Sequence, residues 1–61
     1  MKPLITLVED FTILDATPLK IDTGNSIVRG HWYQDHIITL MFRKVENYKM
    51  TDDGIMHIIL A

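Results

Sequence analysis

Cysteine is absent from the chain, and its absence excludes a disulfide framework and a thiolate metal centre. A domain of 61 residues usually gains stability from disulfides, a metal or oligomerisation, because its core is small. Burial of apolar surface should contribute about 90 kcal/mol, and ordering the chain should cost about the same. We therefore predict a homo-oligomer. The missing cysteines also fit a reducing compartment, so we expect a cytoplasmic protein.

Long apolar runs and concentrated charge of one sign are also lacking. No segment reaches the length of about 18 apolar residues expected of a membrane helix. Glu9 and Asp10 end the first apolar run too early for a secretory signal, so we expect neither a signal peptide nor a membrane partner. Six Lys and Arg stand against eight Asp and Glu. This mildly acidic balance argues against nucleic acid as the main partner, since affinity for phosphate depends on concentrated positive charge.

Catalytic signatures are missing as well. The sequence has no phosphate-binding glycine loop, no Ser-His-Asp arrangement with supporting turns, and no carboxylate pair suited to acid–base work. Two of the three histidines His31, His36 and His57, with Asp35 or Asp53 as a further ligand, would meet around zinc only if their strands were neighbours. Their spacing matches no known zinc pattern. We therefore expect a protein that is not an enzyme and has no catalytic residue, metal or cofactor.

Turn signals and apolar runs predict one all-β domain over residues 1–61. Thr23-Gly24-Asn25 and Asp53-Gly54 are typical of tight hairpin loops, and each lies between two apolar runs. We expect a small antiparallel meander or a partly open barrel of about five strands. The segments expected to be extended are 4–8 and 11–14, joined through a bend or bulge at Glu9-Asp10, then 19–22 and 26–32, then 36–45 and 48–50, joined through a bend at Glu46-Asn47, and last 55–60.

Residues 35–48 carry two competing patterns. One stripe of a helix would contain Ile37, Ile38, Met41, Val45 and Tyr48. Asp35 would then cap the helix at its first turn. The Ile-Ile-Thr content of the segment favours a strand instead. The alternative architecture is therefore α+β, with one helix near 35–48 covering the sheet.

The strand expected at 36–45 and the last strand are apolar on both faces. In the strand expected at 36–45, Ile37 and Met41 lie on one face and the other apolar residues lie on the opposite face. In the last strand, Ile55 and Ile59 likewise lie on the face opposite to their apolar neighbours. A strand that is apolar on both faces must be covered on both faces, and a chain this small has little to cover them with. We predict that Ile37, Met41, Ile55 and Ile59 form the oligomer interface.

The cluster richest in functional groups consists of Arg29, His31, Trp32, Tyr33 and His36. Trp, Tyr and Arg often anchor protein interfaces, because they bury a large area and keep a polar group. We predict that this cluster binds another protein, and that the chain is an accessory protein or modulator. Its size is typical of viral or mobile-element proteins, in which case it would act in the host cytoplasm. The alternative is that Trp32 fills the core while the basic residues lie in a turn.

A second functional hypothesis involves the cations Arg43, Lys44 and Lys49, which lie near Phe42 and Tyr48. Three cations and two aromatic rings would form a modest stacking platform for single-stranded nucleic acid. The fold would then be an OB-like or SH3-like barrel. The alternative is that these residues are the solvated side of one strand and the ends of the next.

Overall fold

Two β-hairpins and two short helices make up the fold in the computed structural model, which describes residues 1–61. In chain order, the elements are α1 (Leu4–Glu9), β1 (Leu19–Asp22), β2 (Ile27–Gly30), α2 (Asp35–Ile38), β3 (Val45–Met50) and β4 (Met56–Leu60). Neither helix is long enough to cross a membrane.

The hairpins join into one four-stranded sheet with the order β2-β1-β4-β3. Strands are antiparallel within each hairpin, whereas β1 and β4, which join the hairpins, are parallel. Leu19 pairs with Gly30 on one side and with Met56 on the other. β2 and β3 are open edges, so the sheet does not close into a barrel, and the C-terminal strand lies in its interior.

Both predicted hairpin loops are confirmed, and each contains a glycine with positive φ. Gly24 has φ 93°, and its N–H donates to the Asp22 carboxylate at 2.9 Å. Gly54 has φ 83°, and its N–H donates to the carbonyl of Thr51 at 3.0 Å. L side chains rarely adopt this backbone conformation, so glycine permits both tight turns.

One face of the sheet carries the whole hydrophobic core. The buried residues alternate along β1 and β4, as expected of strands covered on one side. The helices and the loops beside them cover this face. The complete core is Leu4, Leu7, Ile13, Leu19, Ile21, Ile37, Met41, Val45, Met56, Ile58 and Leu60. We refer to the opposite face, which carries no core residue, as the open face.

The strand predicted for residues 4–8 is wrong, because this segment forms α1. Its apolar positions fit a helix as well as a strand, and an element of six residues is too short for periodicity to decide. The N–H groups of Leu4 and Ile5 donate to the carbonyls of Arg43 and Met41, each at 2.9 Å. The turns after α2 thus satisfy donors at the start of α1 that a helix leaves free.

The long strand predicted for residues 36–45 is also wrong. The chain here forms α2 and then a series of turns up to residue 43. Ile37 and Met41 are buried, whereas Ile38 and Phe42 are exposed. Burial therefore repeats after four residues, which is the spacing of a helical turn rather than the alternation of a strand.

The fold class accordingly differs from the all-β prediction and lies nearer its alternative. The sheet has four strands, and residues 11–14, predicted to be extended, form bends and turns. The helix expected near 35–48 is limited to the four residues of α2. The result is a small α+β fold with a mixed sheet.

Candidate functional site

The predicted binding cluster lies between β2 and α2, in a turn fixed by polar contacts. The side-chain oxygen of Gln34, a residue that no sequence pattern indicated, accepts the His31 N–H at 2.7 Å. The Gln34 N–H donates back to the His31 carbonyl at 3.1 Å. His36 Nε2 donates to the carbonyl of Arg29 at 2.8 Å. The turn therefore presents its aromatic side chains from a fixed backbone.

His31, Trp32 and Tyr33 pack together as an aromatic corner. The His31 and Tyr33 rings are stacked, with centroids 5.6 Å apart and planes 20° apart. Trp32 meets Tyr33 edge-on, at 5.9 Å and 85°. Trp32 Nε1 donates to Asp15 Oδ1 at 2.9 Å, and the Trp32 ring packs partly buried against the core. Trp32 thus supports the core and also presents an accessible surface.

An apolar groove lies beside Trp32, and no sequence pattern predicted it. Its lining residues are Val8, Phe11, Ile13, Leu14, Asp15, Ala16 and Trp32. The Phe11 side chain is 80% exposed, and its backbone is left-handed, with φ 62°. A bulky L residue rarely adopts this conformation. Exposed apolar surface of this kind often marks a contact site.

The Arg29 side chain lies on the open face together with other basic side chains. In the sheet register, Arg29 lies opposite Lys20, Lys20 opposite His57, and His57 opposite Lys49. Residues that pair across strands share a face, so these four side chains stand in one line across the open face. We call this line the basic row.

The cationic platform expected from Arg43, Lys44 and Lys49 is not assembled. The Arg43 guanidinium donates to the carbonyls of Thr23 and Ala61, at 3.2 and 3.5 Å, at one end of the sheet. Lys49 lies near the other end of β3, paired with the start of β4. The open face therefore offers a different set of cations from the one predicted.

The four predicted interface residues divide into two pairs. Ile37 and Met41 are buried in the core of the chain itself, so they have almost no surface left for a second copy. Ile55 and Ile59 remain half-buried. Because β4 has a neighbour on each side, only its open face is accessible to a partner. Self-association stays a prediction, and Ile55 and Ile59 are the interface residues that keep exposed surface.

No three His, Asp or Glu side chains are arranged to hold a metal ion. His31 is stacked on Tyr33, and His36 is hydrogen-bonded to the backbone of β2. His57 belongs to the basic row. The three histidines therefore have separate surroundings.

Asp53 is the titratable group whose pKa is clearly shifted. The Thr51 hydroxyl donates to its carboxylate, and this hydrogen bond is the main reason that the pKa of Asp53 lies below its ordinary value. Backbone N–H groups in the same turn and the nearby charge of Lys20 also lower this pKa. The geometry of the β3–β4 turn therefore accounts for the lowered pKa of Asp53.

Comparison of the chain with protein-family models, curated proteins and solved structures gives no match. The candidate sites therefore depend on geometry alone. They are the apolar groove beside Trp32, on the covered side of the molecule, and the basic row on the open face. The aromatic corner lies in the turn that follows β2.

Proposed function

We propose that the chain is a non-enzymatic binding protein, an accessory or modulator that contacts another protein through the apolar groove. The observation that carries the proposal is the conformation of Phe11, whose ring is mostly exposed and whose backbone is left-handed. Both features cost free energy in the isolated chain. Strained residues of this kind cluster at binding sites, where a partner that covers the ring would regain the apolar contribution.

The groove favours a partner that presents an apolar or aromatic side chain. One wall is the Trp32 ring, held in place by its hydrogen bond to Asp15. Tyr33 lies next to this wall and is exposed. Aromatic side chains that combine apolar area with a polar group are common anchors of protein interfaces. A preorganised wall also reduces the conformational entropy lost on binding.

Phe11→Asn tests the proposal directly. Asn tolerates a left-handed backbone, so the variant should fold at least as stably as the natural chain while it loses the exposed ring. We expect partner affinity to fall by about tenfold or more, as for an interface anchor. The partner is captured with the tagged full chain from lysate of the source organism, and the dissociation constant is then measured with purified proteins.

Phe42→Asn is the matched control, because Phe42 is 82% exposed but lies outside the groove. This variant should bind the partner as the natural chain does. Unchanged affinity of Phe11→Asn, with unfolding curves showing an intact fold, would contradict the proposal. Equal losses from the two substitutions would also contradict it, because they would indicate general adhesion of exposed aromatic rings.

Self-association is a separate part of the proposed behaviour. A dimer formed through Ile55 and Ile59 would bring two copies of the basic row face to face. Salt screens repulsion between like charges, so such a dimer should be tighter at about 500 mM than at about 50 mM salt. Sedimentation equilibrium at micromolar concentration measures this, and a monomer at both ionic strengths would rule out the homo-oligomer.

A further inference from the structure

The basic row brings like charges together in a chain that carries more acid than base. Three of its four members, Lys20, Arg29 and Lys49, come from the six Lys and Arg residues of a chain with net charge −2. His57 completes the line between Lys20 and Lys49. Lys20 and Arg29 are directly opposed, with Cβ atoms about 4.5–5.5 Å apart, and like charges at this distance destabilise a sheet. The fold alone does not account for this arrangement.

No member of the row is neutralised within the chain. The one ion pair in the structure joins Lys2 to Asp10, outside the row. Two carboxylates lie beside the row: Asp22 is on the same face of β1, and the nearby charge of Lys20 helps to lower the pKa of Asp53. Each accepts a hydrogen bond from its own hairpin turn and makes no salt bridge with the row. The cations therefore remain available to an external anion.

Two shallow grooves lie along the row. Lys20 and Arg29 line one groove, which Asp53 also borders. Lys49 and His57 line the other groove. Each groove thus presents two basic side chains, and the two grooves lie side by side across the sheet. Two neighbouring pairs of basic side chains suit a chain of linked anions better than one isolated anion.

An aromatic surface adjoins the Arg29 end of the row. His31 follows Arg29 by two residues and lies just past the end of β2. Its ring is stacked on that of Tyr33, which is exposed. Aromatic rings beside cations bind unstacked bases, and this combination favours single-stranded nucleic acid over an acidic peptide, whose carboxylates would need the cations alone.

We propose that the open face binds single-stranded nucleic acid, with phosphates on the basic row and a base on the His31–Tyr33 stack. Strands lie about 4.8 Å apart, so four of them span about 14 Å. A single strand fits this surface because the face has no projecting helix or ribbon to enter a duplex groove. This site is distinct from the apolar groove, and of the cations expected around Arg43 it contains only Lys49.

Fluorescence anisotropy with a labelled oligothymidylate of about 10 nucleotides tests the proposal on the full chain. Three Lys and Arg contacts predict a slope of about −2 for log K against log salt. Affinity should therefore fall about twentyfold between about 50 and 200 mM salt. A labelled duplex of the same length should bind more weakly than the single strand.

Two variants separate the phosphate and base contacts. Lys49→Glu should weaken binding by about tenfold or more and make the salt slope shallower by about 0.7. Tyr33→Leu should weaken binding by about tenfold without changing the slope, because it removes a stacking surface and no charge. Lys2→Glu is the matched control, since it changes the net charge equally but lies outside the row, and it should bind nearly as the natural chain does.

Several results would overturn the proposal. The first is that no binding is seen at about 100 µM protein in low salt. The second is that Lys49→Glu binds the oligonucleotide as tightly as the natural chain does. The third is that Lys2→Glu loses as much affinity as Lys49→Glu. Duplex that binds as tightly as the single strand would remove the single-strand assignment. Polyglutamate that displaces the oligonucleotide at equal charge concentration would point to an acidic protein instead. Phe11→Asn should leave oligonucleotide binding unchanged, so this test is independent of the protein-binding proposal.

Discussion

His36 Nε2 lies 2.8 Å from the carbonyl oxygen of Arg29, and this contact closes the β2–α2 turn over Gly30. A carbonyl oxygen only accepts hydrogen bonds, so Nε2 carries the proton. Gly30 has φ 151°, and a Cβ there would lie 2.8 Å from His36 Nε2 and still closer to the side-chain oxygen of Gln34. The close approach of this turn to β2 therefore requires glycine.

Gly30→Ala should lower the free energy of unfolding by about 3 kcal/mol. The new methyl group displaces Gln34 and His36 from their hydrogen bonds, and the backbone is strained for an L residue. Gly24→Ala is the matched control, because Gly24 has φ 93° but open space around it, so only strain of about 1 kcal/mol is expected. Urea unfolding measures the free energy of unfolding of both variants. Equal losses would show that the turn does not pack on residue 30.

Ile37→Ala should lower the free energy of unfolding by about 2–4 kcal/mol, since it leaves a cavity in the core. The same substitution at Ile38, which is 46% exposed, should cost less than about 1 kcal/mol. Both residues lie in α2, so differences in helix propensity cancel. Chemical denaturation gives the two values. A larger loss at Ile38 would contradict the helical burial pattern of this segment.

Arg29→Gln should raise the stability of the chain by about 0.2–1 kcal/mol, because it relieves repulsion from Lys20 across the strands. The gain should shrink as salt screens the charges. Arg43→Gln should instead lower stability by about 1 kcal/mol, since its guanidinium binds two carbonyl groups. Thermal unfolding at low and high salt compares the stabilities of the two variants with that of the natural chain. A loss from Arg29→Gln as large as that from Arg43→Gln would mean that Arg29 is paired.

Thr51→Val should raise the pKa of Asp53 towards its ordinary value, because the Thr51 hydroxyl is the main cause of the lowered pKa. A lowered pKa in the folded state stabilises the fold above the unfolded pKa of about 3.9. This stabilisation is lost as pH falls through the folded pKa. NMR titration of the Asp53 side-chain carbon measures the change. Thr39→Val is the control, and an unchanged midpoint in Thr51→Val would contradict the assignment.

The hairpins were predictable because their signals are local. Thr23-Gly24-Asn25 and Asp53-Gly54 place residues with suitable φ between apolar runs, so the turn and its flanking strands are encoded within a few positions. The two helices were not predictable in the same way. A segment as short as α1 or α2 does not complete enough turns to separate a helical period from a strand period. Contacts between Ile5 and Met41, remote in sequence, help to decide the outcome.

In the candidate sites, too, local features could be predicted from the sequence and long-range ones could not. His31 to His36 are neighbours in the sequence, so their grouping in one turn could be predicted. The part played by Gln34, and the position of Arg29 beside Lys20, could not. The basic row takes one residue from each of four strands, and its centre depends on the parallel pairing of Lys20 with His57. No turn or motif specifies that register. No residue pattern predicted the left-handed backbone of Phe11 either.

By itself, the sequence determined the two turns, the inward alternation of β1, and the absence of thiol chemistry. These properties depend on single residues or on neighbours a few positions apart. Only the tertiary structure decided which apolar residues the chain covers unaided, and which cations stand together on the open face. Both outcomes depend on how the two hairpins dock, and docking is set by long-range packing between segments whose individual patterns are ambiguous.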